Sequence, residues 1–227
     1  MKEKRSGIDY NERTKAVLTL CDELYSDPDV SEFVPSLKEK VPVFVVLGMQ
    51  STGKSSVLSR VCHTKFPTDS KLCTRVRAQL RLRQTDDSEG SCKVSGNDAA
   101  GGCVFKEKEV GESDSADKYI KDAQDAILFA EAESKTFSEN GLVFIDVQHP
   151  QVPNVTFVDL PGVFTAVNKA EKKDAEKVEN LVIGEISKPA TFVLHVVQAD
   201  KDVNQCSSWE QLSKAKAEKR SVIVFTR

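Results

Sequence analysis

Apolar and polar positions along the chain fall into short runs of different period. Residues 43–47, Val-Phe-Val-Val-Leu, are continuously apolar, as in a strand buried on both faces of a helix-covered sheet. Residues 76–82 alternate: Val76, Ala78, Leu80 and Leu82 stand against Arg77, Gln79 and Arg81. That alternation predicts a half-exposed strand at or near a sheet edge. Leu142 to Val147 and Val155 to Val158 predict two strands paired across the proline-bounded turn 149–153. Residues 191–197 and 221–225 predict two more, flanking a helix over 205–217. Helical spacing recurs over 10–26 (Val17, Leu18, Cys21, Leu24), over 117–136, and over 171–187 with Val178, Leu181, Val182 and Ile186 inward. Residues 84–118 are rich in Asp, Ser, Gly and Glu, and predict a mobile surface insertion outside the core. The order of elements indicates an α/β fold: a mostly parallel, helix-covered sheet with an antiparallel edge strand.

Length and charge narrow the picture. The chain has 227 residues, enough for one large α/β domain with an appendage. We divide it into residues 1–40, a helix and linker, and residues 41–227, the main domain. The net charge of −3 provides no basic field for nucleic acid. No apolar run approaches the roughly 20 residues that span a bilayer, and the charged start Met1 to Arg5 leads into no signal core. The six cysteines include no C-x-x-C pair. Free thiols in a reducing, cytoplasmic setting are expected over a zinc site at Cys92 and Cys103.

Two motifs carry chemistry. Gly48-Met49-Gln50-Ser51-Thr52-Gly53-Lys54-Ser55 matches G-x-x-x-x-G-K-[ST] in full. Its glycines let successive main-chain N–H groups turn toward phosphate oxygens, and the helix that follows adds its positive end. Lys54 supplies a point charge to the β- and γ-phosphates, and Ser55 a hydroxyl to Mg²⁺. Downstream, Val155-Thr-Phe-Val-Asp159-Leu160-Pro161-Gly162 is a strand ending in D-x-x-G. Asp159 would hold Mg²⁺ through water, and the Gly162 N–H would sense the γ-phosphate. Between the motifs, Thr74 precedes the next strand, where a switch segment places a Mg²⁺ ligand. Its alternative is an ordinary solvated loop threonine. Together these features predict a P-loop nucleoside-triphosphatase fold.

These residues resemble the dynamin superfamily of large GTPases. The string Gln50-Ser51-Thr52-Gly53-Lys54-Ser55-Ser56-Val57-Leu58 is more specific than the generic loop, and Thr74-Arg75, with Pro67 upstream, is similar to the family's switch segment. Val152 to Gly162 resembles its N-x-T-x-V-D-L-P-G strand, and residues 10–26 its first bundle-signalling helix. The resemblance implies a dynamin-type GTPase domain over 41–227. It implies a nucleotide contact through Gly48, Gln50, Ser51, Thr52, Gly53, Lys54, Ser55, Ser56, Asp159 and Gly162. Gln50, Ser51, Lys54 and Thr74 would be catalytic; Ser55, Thr74 and Asp159 would hold Mg²⁺. A monovalent cation, K⁺ or Na⁺, near Gln50 and Ser51 would compensate charge at the β/γ bridge. GTP and GDP would be the ligands. Self-association would pair two GTPase domains, with Ala199-Asp200-Lys201-Asp202 in the pairing loop. Membrane contact would come only through parts outside this chain, so the full-length protein would be cytoplasmic and peripheral to a membrane.

The sequence departs from the family at two places. Asp69 and Lys71 stand near positions where the family often has cation-binding glycines. Thr226-Arg227 looks like the start of [TN]-[KR]-x-D, the guanine-reading motif, so both residues join the nucleotide-binding set and the domain is expected to continue past this chain. These departures keep a rival open, a nucleotide-binding scaffold with little hydrolysis. An ATPase of another P-loop class is a second rival. His195, within Phe-Val-Leu-His-Val-Val, is expected in the core; His63 and His149 at the surface or in turns; Lys169 to Lys177 on a solvated helix face; and Trp209 packing its helix on the sheet.

Overall fold

The computed structural model describes residues 42–62, 74–111, 114–131, 137–162 and 169–227, with side chains from 172 onward in the last segment. The predicted helix over 10–26, His63, Pro67, Asp69 and Lys71 lie outside them. In chain order the elements are β1 (Val43–Leu47), α1 (Lys54–Val61), β2 (Arg77–Arg83), β3 (Ser91–Asn97), β4 (Cys103–Glu109), α2 (Ala116–Glu131), β5 (Leu142–Gln148), β6 (Val155–Asp159), α3 (Lys169–Ile186), β7 (Thr191–Gln198), α4 (Ser207–Lys214) and β8 (Ser221–Thr226). The strands form one sheet ordered β4-β3-β5-β2-β6-β1-β7-β8.

β1 shows why its run is unbroken. Val46 faces a core layer that includes Leu58 of α1 and Ile120, Ala123 and Ile127 of α2. Val45 and Leu47 face a second layer with Val178, Val182 and Ile186 of α3 and Leu212 of α4. Both faces of the strand are therefore dry. β6, β1, β7 and β8 run parallel, as expected for strands joined through crossover helices.

The alternating strand is not at an edge. β2 lies inside the sheet, parallel to β5 and antiparallel to β6. Its arginines reach partners across the sheet face: Arg77 pairs with Glu185 of α3 at 2.5 Å, and Arg81 lies 3.7 Å from Asp146 and over the Phe144 ring. Alternation reported which face is apolar, not how many neighbours the strand has. Nor are β5 and β6 paired with each other as the sequence predicted. β2 sits between them, and the connection 149–154 crosses the width of two strand spacings, about 10 Å.

The largest departure is the stretch read as a mobile insertion. Much of it is the β3–β4 hairpin, which extends the sheet and ends it in an antiparallel edge strand, β4. Val94 is fully buried and Phe105 nearly so. A Cβ on Gly96 would stand 3.1 Å from Ile127 Cδ1, so α2 presses onto the hairpin. The Gly101-Gly102 pair forms the turn, where the Asp98 carboxylate accepts the N–H groups of Ala100 and Gly102.

Candidate functional site

The loop 48–53 leaves the carboxyl end of β1 and enters α1. Two residues carry the bend with positive φ, Ser51 at 62° and Gly53 at 89°. The first is unusual for a residue with a Cβ. Inside the loop, Thr52 Oγ1 donates to the Met49 carbonyl at 2.9 Å. Gly48 is a close approach: a Cβ there would stand 2.5 Å from the Val196 carbonyl oxygen. No side chain caps α1 and no acidic residue stands in its first turn. Its leading N–H groups therefore present positive charge at the loop, with no side-chain cap among the described residues.

Lys54 is the first residue of that helix and is buried. Its Nζ donates to the carbonyls of Gly48 and Met49, each at 3.1 Å, so the ammonium is folded back under the loop. Gly162 meets it from the other side. A Cβ on Gly162 would stand 2.9 Å from Lys54 Nζ and 3.2 Å from Gln50 Cα. The end of D-x-x-G thus lies against the phosphate-type loop, although more than a hundred residues separate them in sequence.

Asp159 pairs in register with Val46 at the end of β6. It is 4% exposed, and its Oδ2 accepts the Thr74 hydroxyl at 2.7 Å. Among the described residues its Oδ1 has no hydrogen-bond partner. Burial pushes the carboxyl above its usual range, opposed by Lys54, the Thr74 hydroxyl and the Leu160 N–H. The structure therefore brings together Gly48, Gln50, Thr52, Gly53, Lys54, Thr74, Asp159 and Gly162. Gln50 and Ser51 are exposed on the loop, Ser55 is half-buried, and Ser56 is exposed on α1.

Thr226 stands against the loop. Its hydroxyl donates to the Thr52 carbonyl at 2.6 Å, and its Cγ2 would lie 3.3 Å from a Cβ on Gly53. It braces the loop. Arg227 is exposed. The segment Ala199–Asp202 is exposed beside it, with the Ala199 N–H on the Thr226 carbonyl at 2.8 Å.

Sequence reasoning missed what holds Thr74. The Arg75 N–H donates to Gln124 Oε1 at 2.6 Å, and the Arg75 guanidinium pairs with Asp125. One signal was available: Gln124 interrupts the inward stripe Ile120, Ala123, Ile127 of α2. His195 is fully buried, bonded through Nε2 to Ser208 Oγ at 2.8 Å and stacked on Trp209. Burial lowers its pKa to about 4. It is the core histidine the sequence indicated, and Trp209 packs its helix against the sheet-facing core.

The model of the dynamin family matches residues 44–226. The chain is 31% identical over 199 residues to the interferon-induced GTP-binding protein Mx1 of Bos taurus, covering 86% of this chain and 28% of that protein. It is 28% identical over 199 residues to the interferon-induced GTP-binding protein Mx of Perca fluviatilis, covering 86% and 60%. It is 28% identical over 220 residues to dynamin-related protein 4C of Arabidopsis thaliana, covering 96% and 30%. The chain thus spans less than two thirds of each of these relatives.

Proposed function

Since this chain belongs to the dynamin family, we propose that it binds GTP with Mg²⁺ at the loop 48–55 and hydrolyses it to GDP and phosphate. The observation that carries the reading is the approach of Gly162 to Lys54 and Gln50. A γ-phosphate seated on the loop would meet both, and only a residue without a Cβ leaves room there. The main-chain N–H groups of the loop and the α1 terminus take the phosphates. Lys54 leaves the carbonyls of Gly48 and Met49 for the β- and γ-phosphate oxygens. Gln50, Ser51 and Thr74 position the attacking water, so catalysis is mainly orientation and charge stabilisation.

Ser55, Thr74 and Asp159 fit Mg²⁺, because they offer only oxygen donors and one buried carboxylate oxygen of Asp159 has no hydrogen-bond partner among the described residues. The ion, when bound, supplies positive charge against the phosphate oxygens. K⁺ or Na⁺ near Gln50 and Ser51 would add to it. Thr226 acts on the nucleotide through the loop it braces, and Arg227 lies at the base-binding side.

In this reading residues 41–227 are the GTPase domain and residues 1–40 a helix and linker. The exposed segment Ala199–Asp202 pairs two such domains. The whole protein acts in membrane remodelling from the cytoplasm, touching the membrane through parts beyond this chain. No helix among the described residues is long and apolar enough to cross a membrane.

Calorimetry and phosphate release test the reading. Mg·GTP should bind the full-length protein and Mg·ATP should not, and K⁺ or Na⁺ should raise turnover. Lys54→Ala should remove binding, and Thr74→Ala should keep binding but lose turnover. Unchanged affinity in the lysine variant would refute the site. Binding without turnover in the wild type would favour the scaffold reading.

A further inference from the structure

The contact between Thr74 and Asp159 is set from outside the phosphate-binding loop. Thr74 precedes β2, whose ladder begins only at Arg77, so the sheet does not yet hold the main chain at 74–75. Arg75 is instead fixed at three points. Its N–H donates to Gln124 Oε1 at 2.6 Å, and its carbonyl accepts the Ser138 N–H at 2.9 Å. Its guanidinium pairs with Asp125, the residue after Gln124 on α2.

Gln124 is 2% exposed and stands among Ile120, Ala123 and Ile127, the last two of which press on Gly96 of the β3–β4 hairpin. Packing alone would favour an aliphatic residue here, since a buried amide is costly unless bonded. Its oxygen meets a main-chain N–H that precedes the ladder. An unbroken path therefore runs from the hairpin through α2 to Arg75, Thr74 and Asp159.

We propose that Gln124 is a positioning residue for hydrolysis: by holding the Arg75 N–H it fixes the main chain beside Thr74 and sets where the Thr74 hydroxyl stands. This rests on the GTPase reading above. Gln124 touches neither nucleotide nor water in this account; it acts through Thr74.

The test uses the full-length protein, with Mg·GTP affinity, kcat, KM and thermal melting measured side by side. Gln124→Met keeps the shape of the side chain and removes the acceptor. It should lower kcat about tenfold, the order of loss when a half-buried N–H is left without its partner, with Mg·GTP affinity within about twofold of wild type. Gln124→Glu keeps an oxygen at the same reach and should restore kcat to within about threefold. Wild-type kcat in Gln124→Met would overturn the proposal. So would a loss of affinity in step with kcat, or a Gln124→Glu variant as slow as Gln124→Met. A wild-type protein that binds no GTP or turns none over would overturn the GTPase reading itself, and the wild-type control separates that result from a failure of the Gln124 assignment.

Discussion

The hydroxyl of Thr226, at the end of the last strand, donates to the carbonyl of Thr52 at 2.6 Å, across 174 residues of chain. The last strand is thereby joined to the loop proposed to hold the nucleotide. Thr226→Val keeps the volume and removes the donor, leaving the Thr52 carbonyl without this partner. Mg·GTP affinity should fall about tenfold, and Thr226→Ser should recover it. Equal affinity in the valine variant, by calorimetry, would show that the loop holds its shape without the brace.

Gly162 faces a tighter constraint. A Cβ there meets the Gln50 main chain at 3.2 Å and the end of Lys54 at 2.9 Å. The lysine tip can swing aside; the backbone of the loop cannot. Gly162→Ala should therefore displace the loop and weaken Mg·GTP binding about tenfold, in line with the cost of overpacking. Circular dichroism should show the fold retained. Unchanged affinity would mean the loop yields more easily than its geometry indicates.

The β3–β4 hairpin is part of the core, so it should behave as core. Phe105 is 8% exposed and packs in the layer shared with α2. Phe105→Ala should cost about 3 kcal/mol of unfolding free energy, at the low end of large-to-small aromatic substitutions. Urea unfolding measures it. A change below about 0.5 kcal/mol, the range of surface substitutions, would return this stretch to the status of a loose insertion.

His195 makes stability depend on pH. Its folded pKa of about 4 lies below the ordinary 6.5 because burial disfavours the charged ring. The unfolded chain therefore binds the proton first as pH falls. The contribution is intact above pH 6.5 and is lost progressively below it, until the folded pKa is reached. Between pH 6.5 and 5 this amounts to about 2 kcal/mol. His195→Gln should remove that part of the slope, so the difference between wild-type and variant unfolding free energies should change over this window. Parallel pH profiles would contradict the buried neutral ring.

Period and composition made some elements legible and misjudged others. The apolar run of β1, the helix with Val178, Val182 and Ile186 buried, and the core placement of His195 agree with the structure. Those features depend on a residue's own surroundings over one or two turns. Strand neighbours do not. The alternation at 76–82 was the same whether β2 lay at an edge or between β5 and β6. The hairpin was obscured because its apolar residues are few and its turn is glycine-rich, while its burial is supplied by α2 from later in the chain.

From sequence alone came the glycine–lysine–serine loop, the D-x-x-G strand, Thr74 and the likeness to one family, because each is a local string whose chemistry depends on residue types and spacing. Only the tertiary structure placed Gly162 on Lys54, set Thr74 on Asp159, tied Thr226 to Thr52, and gave Gln124 the Arg75 N–H to hold. Each of these joins residues at least 49 positions apart, and their meeting depends on strand order and helix seating that no local pattern encodes.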